Sequence, residues 1–407
     1  MYKISQINPI RCFPIIFLAI FLISLFLWNT AGIADGGYWV GKKIQLVNDL
    51  RTHSFDFNPS IHSTHPGTFP LLVSNLFPSN LFSPLRSIRL ACVIIDSFAT
   101  FFILFYVFKI YRNNLWWLVW IAILLGSDYA LFTNPSDIIT AKLLGLAWII
   151  TLYHVKERKT LPLDTLFIGV CIGLALASRI HMTLMLAVFI PVLIWYYHSF
   201  KNMIILAIIA IAVFFLTDPY LWHSPFSFLS SSLLGTTSLI DTDIATNIIP
   251  AYYFREVTFS SFILDAPLTF IAFISLSFLI TLKHKLTIPR LFLMALFLTI
   301  SVTTVLLLKS SMNNLRFFYQ IIFILHIFLS LFTMDILYEK LFIKFNLYAR
   351  QIFYLALFTI LPLQLLALFV PSFSNLALWF SRIIIFYIIV LIFVTASLEK
   401  KSTQTHL

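Results

Sequence analysis

Charge is what this sequence has least of. Asp, Glu, Lys and Arg make up 11% of its 407 residues, under half the share of an ordinary soluble domain, ~25%. That scarcity excludes a disordered chain, which needs charge to stay solvated, and a soluble enzyme. Cysteine is nearly missing as well. Cys12, Cys92 and Cys171 lie in or beside apolar runs with no CxxC pair, which excludes a disulfide scaffold and leaves small buried hydrophobes. Glycine is scarce too, at 10 residues against 44 Phe. The chain shows no internal repeat, low-complexity linker or soluble domain.

What is present is apolar. Hydrophobic residues reach 60% and the mean hydropathy is +0.96. A membrane-crossing helix needs roughly 20 apolar residues, and about twelve such runs occur. Their cores are 13–32, 86–108, 114–133, 137–155, 163–179, 181–197, 202–217, 264–282, 290–308, 315–334, 351–370 and 376–397. They lack period-2 alternation and are too long for barrel strands. The expected fold class is an all-α polytopic membrane protein, a single integral membrane domain over residues 1–407. Arg11, the apolar stretch and Gly32-Ile33-Ala34 have the parts of a cleavable signal peptide. An uncleaved first span is the reading that keeps the charges in order.

With the N-terminus in the cytoplasm, 16 basic residues fall on inner turns and tails, among them Lys109, Lys156, Lys201 and Lys344. The positive-inside rule asks for this. Five acidic residues share that side, so the inner face carries the whole net charge of +11. The outer face holds 11 basic and ten acidic residues, and Asp96 lies within the second span. The basic balance therefore signals topology and not nucleic acid. Both termini are expected in the cytoplasm. Two outer segments are long, 33–84 and 218–261, and function is expected there.

The first outer loop opens with Asp35-Gly36-Gly37-Tyr38-Trp39. A carboxylate at the interface has a tunable proton affinity, although a helix cap is its commoner role. The same loop holds His53, His62 and His65, a spacing that matches no standard zinc site. Pro66, Gly67 and Pro70 predict a stiff turn that aims His65. Asp128 stands in the second outer turn, and Asp137 opens the fourth span with a dipole-favoured carboxylate. Arg179 lies between two apolar spans. Its fork suits phosphate, and snorkelling to the interface is the alternative. Tyr220, Trp222 and Arg255 follow in the second long segment, and Arg316 and Tyr319 stand at the fifth outer turn. Asp96 is set too deep to join these groups and reads equally as a packing hydrogen-bonder.

Taken together, these turns resemble the GT-C superfamily of membrane glycosyltransferases, nearest to the protein O-mannosyltransferase and lipid A aminoarabinose transferase group. The marks are Asp35-Gly36-Gly37-Tyr38, His65-Pro66-Gly67-Thr68-Phe69-Pro70, Asp137, Ser178-Arg179, Asp218-Pro219-Tyr220 and Leu315-Arg316-Phe317, in order over residues 33–320. The family's second acidic residue after the first Asp is Gly36 here, which weakens any two-carboxylate metal grip. Many relatives also carry a soluble C-terminal domain that this chain lacks. The resemblance implies a GT-C fold and transfer of a sugar from a polyprenyl-phosphate donor to a lipid, glycan or protein acceptor on the extracytoplasmic face, with inversion. It casts Asp35 as general base and Asp137 as its partner or the acceptor's orienter. His65, Arg179 and Arg316 become phosphate contacts. Tyr38, Trp39, Asp128, Tyr220, Trp222, Arg255 and Tyr319 are the substrate-side candidates, the Trp and Tyr rings for sugar stacking. No cofactor is certain, and a divalent cation stays open. The partners implied are the lipid donor, its acceptor and a bacterial plasma membrane.

A transporter or flippase of lipid-linked sugars is the second reading, since twelve spans with both ends inside fit one. The two halves share no similarity and show no paired broken helices. A glycan polymerase or ligase is a third, and it expects its main outer loop late in the chain.

Overall fold

The computed structural model describes residues 9–30, 36–53, 68–111, 135–157, 162–223, 225–226 and 289–309, with six further positions between 321 and 331. The described residues are helical almost throughout and contain no strand. The chain divides into two compact units. The first comprises Met1–Asn114, Leu131–Thr258 and Ile288–Ile324, and the second Leu115–Ala130, Phe259–Thr287 and Leu325–Leu407. The helices below all belong to the first.

In chain order they are α1 (Pro9–Thr30), α2 (Gly36–Thr52), α3 (Thr68–Ser74), α4 (Pro84–Tyr111), α5 (Pro135–Glu157), α6 (Pro162–Ser178), α7 (Ile180–Ala187), α8 (Phe189–Tyr197), α9 (Phe200–Thr217), α10 (Tyr220–His223) and α11 (Arg290–Lys309). The helices that fall on described apolar runs begin and end within four residues of them. The runs at 114–133, 264–282, 351–370 and 376–397 lie outside the described residues. The segment expected as the first outer loop contains two helices, α2 and α3. The turn expected at Pro66–Pro70 gives way to α3 from Thr68. Pro70 fits there because a first-turn residue needs no intrahelical N–H bond.

Local chemistry sets the helix starts. Pro84, Pro135 and Pro162 each open a helix, where proline's missing N–H costs nothing. Ser83 Oγ accepts from Arg86 N–H at 3.4 Å, and Ser199 Oγ from Asn202 N–H at 3.2 Å, capping α4 and α9. Pro191 explains the break between α7 and α8, because its ring clashes with the carbonyl of Ala187.

Three helices are long and apolar enough to cross a membrane: Pro84–Ile110, Asp137–Glu157 and Phe200–Thr217. They differ in where they sit. The α5 span is 89% buried within the protein, against 17% for α9. Helix α5 is apolar all round and forms the centre, packed by α4, α6, α7 and α8. Helix α9 turns Ile204, Ile208, Ile211 and Phe215 outward, and α11 does the same with Leu291, Met294, Leu298, Val302 and Val305. Water does not tolerate apolar faces of this extent on a monomer, and lipid does.

Helices α6 and α9 make the most extensive pairing, and they run parallel. A Cβ on Gly169 would stand 2.8 Å from Ile209 and 3.1 Å from the Leu206 carbonyl oxygen. One on Gly173 would stand 2.6 Å from the Ala210 carbonyl oxygen and 2.7 Å from Val213. The Gly-x-x-x-Gly spacing lets two backbones touch, the usual device where lipid supplies no hydrophobic drive between helices. Continuing that register by one turn sets Ala177 level with Phe214 and Thr217. Arg179 and Asp218 therefore leave adjacent parallel helices at the same depth.

Candidate functional site

The polar residues of this unit gather at its two ends and one intermediate level. The first end carries the start of α5, the finish of α6 and α9, and the start of α3. Asp137, in the first turn of α5, forms an ion pair with the Arg179 guanidinium, and both are buried. The backbone places Arg179. Its N–H still donates to Ala175 O at 2.7 Å, finishing α6. Its own φ of −163° and ψ of 96° are extended, so the chain turns sharply before α7. Its carbonyl then accepts from both the N–H and the hydroxyl of Thr183, at 3.2 and 2.8 Å. The Arg179 backbone is thus anchored from both sides, and its buried side chain does not snorkel to water.

Beside it, Asp218 follows the last residue of α9. Its N–H donates to Phe214 O at 3.0 Å, and its carboxylate accepts from Tyr220 N–H at 3.3 Å. Burial pushes its carboxyl up to about 7, against the opposing pull of the hydrogen bonds from Tyr220 N–H and the Thr68 hydroxyl. Thr68 also donates to Thr217 O at 2.9 Å, tying the start of α3 to the end of α9. Tyr220 is buried and donates its hydroxyl to Asp49 of α2 at 2.9 Å. Lys43 joins α2 to the rest, donating to Ser74 O at 3.0 Å and to the Ser87 hydroxyl. An ammonium at the last carbonyls of α3 is well placed for the helix dipole. Burial also lowers the affinity of Lys42 for its proton, to about 8.

The intermediate level lies one to two turns along α5. Asp96 forms an ion pair with Lys142 and accepts from Ser24 at 2.9 Å and Trp28 Nε1 at 3.3 Å. Lys142 also donates to Thr100 at 2.9 Å. Three helices, α1, α4 and α5, therefore meet on one carboxylate. Asp96 is thus paired and hydrogen-bonded within the span. Its partner is on the same helix as Asp137, five residues or about 7.5 Å along.

At the opposite end, Tyr106 donates to Asp164 at 2.6 Å, and His154 Nε2 stands 3.6 Å from the same carboxylate. The His154 and His198 rings meet edge to face at 5.2 Å. Lys109 lies 4.4 Å over Phe105, 5.1 Å over Tyr106 and 5.4 Å over Tyr153.

Of the predicted site residues, Asp137 and Arg179 come together. Trp39 is fully buried. Tyr220 is buried too and links α10 to α2 through Asp49. Trp222 stays half-exposed, with Nε1 donating to Phe215 O at 2.6 Å. Asp35, His65, Asp128, Arg255, Arg316 and Tyr319 lie outside the described residues, as does the Tyr38 side chain. Asp218, Thr68 and Lys142 were absent from the predicted set. The signals were in the sequence: an Asp closing an apolar run before a Pro, and opposite charges within two apolar runs.

No group of three or more His, Cys, Asp or Glu able to hold a metal occurs among the described residues. Comparison with family models, curated proteins and solved structures finds no match to this chain.

Proposed function

We propose that the chain is a membrane glycosyltransferase of GT-C-like architecture. On this reading about twelve helices span the membrane, both termini are cytoplasmic, and the Asp137 end faces the extracytoplasmic side. The enzyme moves a sugar from a polyprenyl phosphate to a lipid, glycan or protein hydroxyl, with inversion. One observation carries the reading: a buried carboxylate and a buried guanidinium share one end of the bundle, supported by a second buried carboxyl at the same depth. Glycosyl transfer needs these parts. A carboxylate takes the acceptor's proton, and a fork of N–H donors holds the phosphate as charge develops on it. Asp35 is the assigned general base, five residues past the end of α1. Arg179 holds phosphate with His65 and Arg316, and Trp222 offers a stacking face.

The test is direct. Protein in lipid nanodiscs is given defined polyprenyl-phosphate sugars and a crude acceptor, and mass spectrometry follows polyprenyl phosphate. The wild type releases it, and Asp35→Asn releases none while inserting normally. Full activity in Asp35→Asn removes the general-base assignment.

A transporter or flippase of lipid-linked sugars is the second reading. The Asp96–Lys142 pair favours it, because ionised groups within a span commonly mark a substrate path. A transporter would release no polyprenyl phosphate in the same assay.

A further inference from the structure

We propose that Asp137 is the resting occupant of an anion site on Arg179, and that a prenyl-phosphate headgroup binds there by taking its place. The proposal rests on the glycosyltransferase reading and specifies how its donor enters. A guanidinium buried as deeply as Arg179 (5% exposed) needs an anion beside it, since an uncompensated buried charge is very costly. Here the anion is the Asp137 carboxylate, itself 3% exposed, on Nη1. Carboxylate and phosphate fit the same planar fork. Both cannot hold that nitrogen together, because two anions at contact distance repel strongly in a buried setting.

The surroundings allow one to leave without the other collapsing. Arg179 keeps its place through its backbone, fixed by Ala175 and Thr183. The start of α7 follows it directly with no side-chain cap, so the positive end of that helix favours an incoming anion. Helix α5 keeps its place through Lys142, held by Asp96 about 7.5 Å along. The released carboxylate belongs to the first turn of α5, whose own N-terminal N–H groups are suited to receive it. The exchange keeps an anion on Arg179 throughout. It also ties the freeing of a carboxylate to the arrival of the donor.

Farnesyl phosphate is the probe, with farnesol for the lipid alone and inorganic phosphate for the headgroup alone. Binding is measured on the full chain in nanodiscs. Asp137→Asn is expected to bind farnesyl phosphate at least tenfold more tightly than the wild type, and inorganic phosphate to shift the same way. Farnesol is expected to show no difference, and Arg179→Gln to abolish phosphate binding in either background. A readout on the wild type guards against misfolding of the variant. Farnesyl phosphate should raise labelling of Asp137 by dicyclohexylcarbodiimide at least threefold, mapped by mass spectrometry. Equal or weaker binding by Asp137→Asn, or falling label on Asp137, overturns the exchange and leaves the glycosyltransferase reading standing. Absence of farnesyl phosphate binding to both proteins overturns the two together.

Discussion

At the Asp164 end of the bundle a buried carboxylate takes a hydrogen bond from a neutral hydroxyl, Tyr106, and has the His154 ring beside it. At the Asp137 end a buried carboxylate faces a guanidinium, with a second buried carboxyl, Asp218, at the same depth. The first arrangement is built from α4, α5 and α6 and ringed by Phe105, Tyr153 and Lys109. It closes a helix junction with a hydroxyl donor, an imidazole and ring contacts. The second keeps full charges out of water, where an ion pair gains little net stability over apolar packing. On the glycosyltransferase reading, the difference separates a structural end from a working end.

The comparison breaks most severely at the shared frame. Gly173→Val puts its added carbons onto the Ala210 carbonyl oxygen, a backbone atom that cannot yield, so α6 and α9 separate. Loss of folded protein is expected on size-exclusion chromatography in detergent, and both ends fail together. Arg179→Met separates the ends. It strands a buried Asp137 carboxylate and should cost about 3–5 kcal/mol, read by thermal unfolding, with sugar transfer lost. Arg179→Lys is the finer cut. It keeps the charge and loses the fork, so transfer should fall at least tenfold with the melting temperature nearly kept.

Asp218→Asn sharpens the contrast through pH. The native carboxyl holds its proton up to about 7, whereas the unfolded one releases it near 4. The native state thus binds more protons between those values, so wild-type stability falls as pH rises from 4 to 7 and then levels. Asp218→Asn lacks that slope. Its melting temperature relative to wild type is expected to rise between pH 5 and pH 8; a constant difference refutes the buried, proton-holding carboxyl. The smallest effect belongs to the other end. Tyr106→Phe deletes one hydrogen bond to a carboxylate at about 2 kcal/mol, and transfer should be unchanged.

Much of the framework was legible in the amino-acid pattern. Helices α4, α5, α6 and α9 fall on apolar runs because lipid demands length and apolarity and little else. Pro84, Pro135 and Pro162 mark their starts. The pairing of Asp137 with Arg179 was half legible. Both residues stood out as charges at the edges of apolar runs, but nothing in the spacing said that they touch, because that depends on antiparallel packing of α5 and α6. The burial of Trp39 and Tyr220 was not legible, since an interfacial aromatic looks the same in sequence whether it faces a ligand or a neighbouring helix. Asp96 was half legible for a related reason. Its depth along α4 is readable, and its partner Lys142 on another helix is not.

The most direct measurement compares polyprenyl phosphate released from a polyprenyl-phosphate sugar by wild type, Arg179→Lys and Tyr106→Phe in the same nanodiscs. The account predicts release by wild type and Tyr106→Phe, and a loss of at least tenfold in Arg179→Lys. Equal release by all three, or release by none, contradicts it.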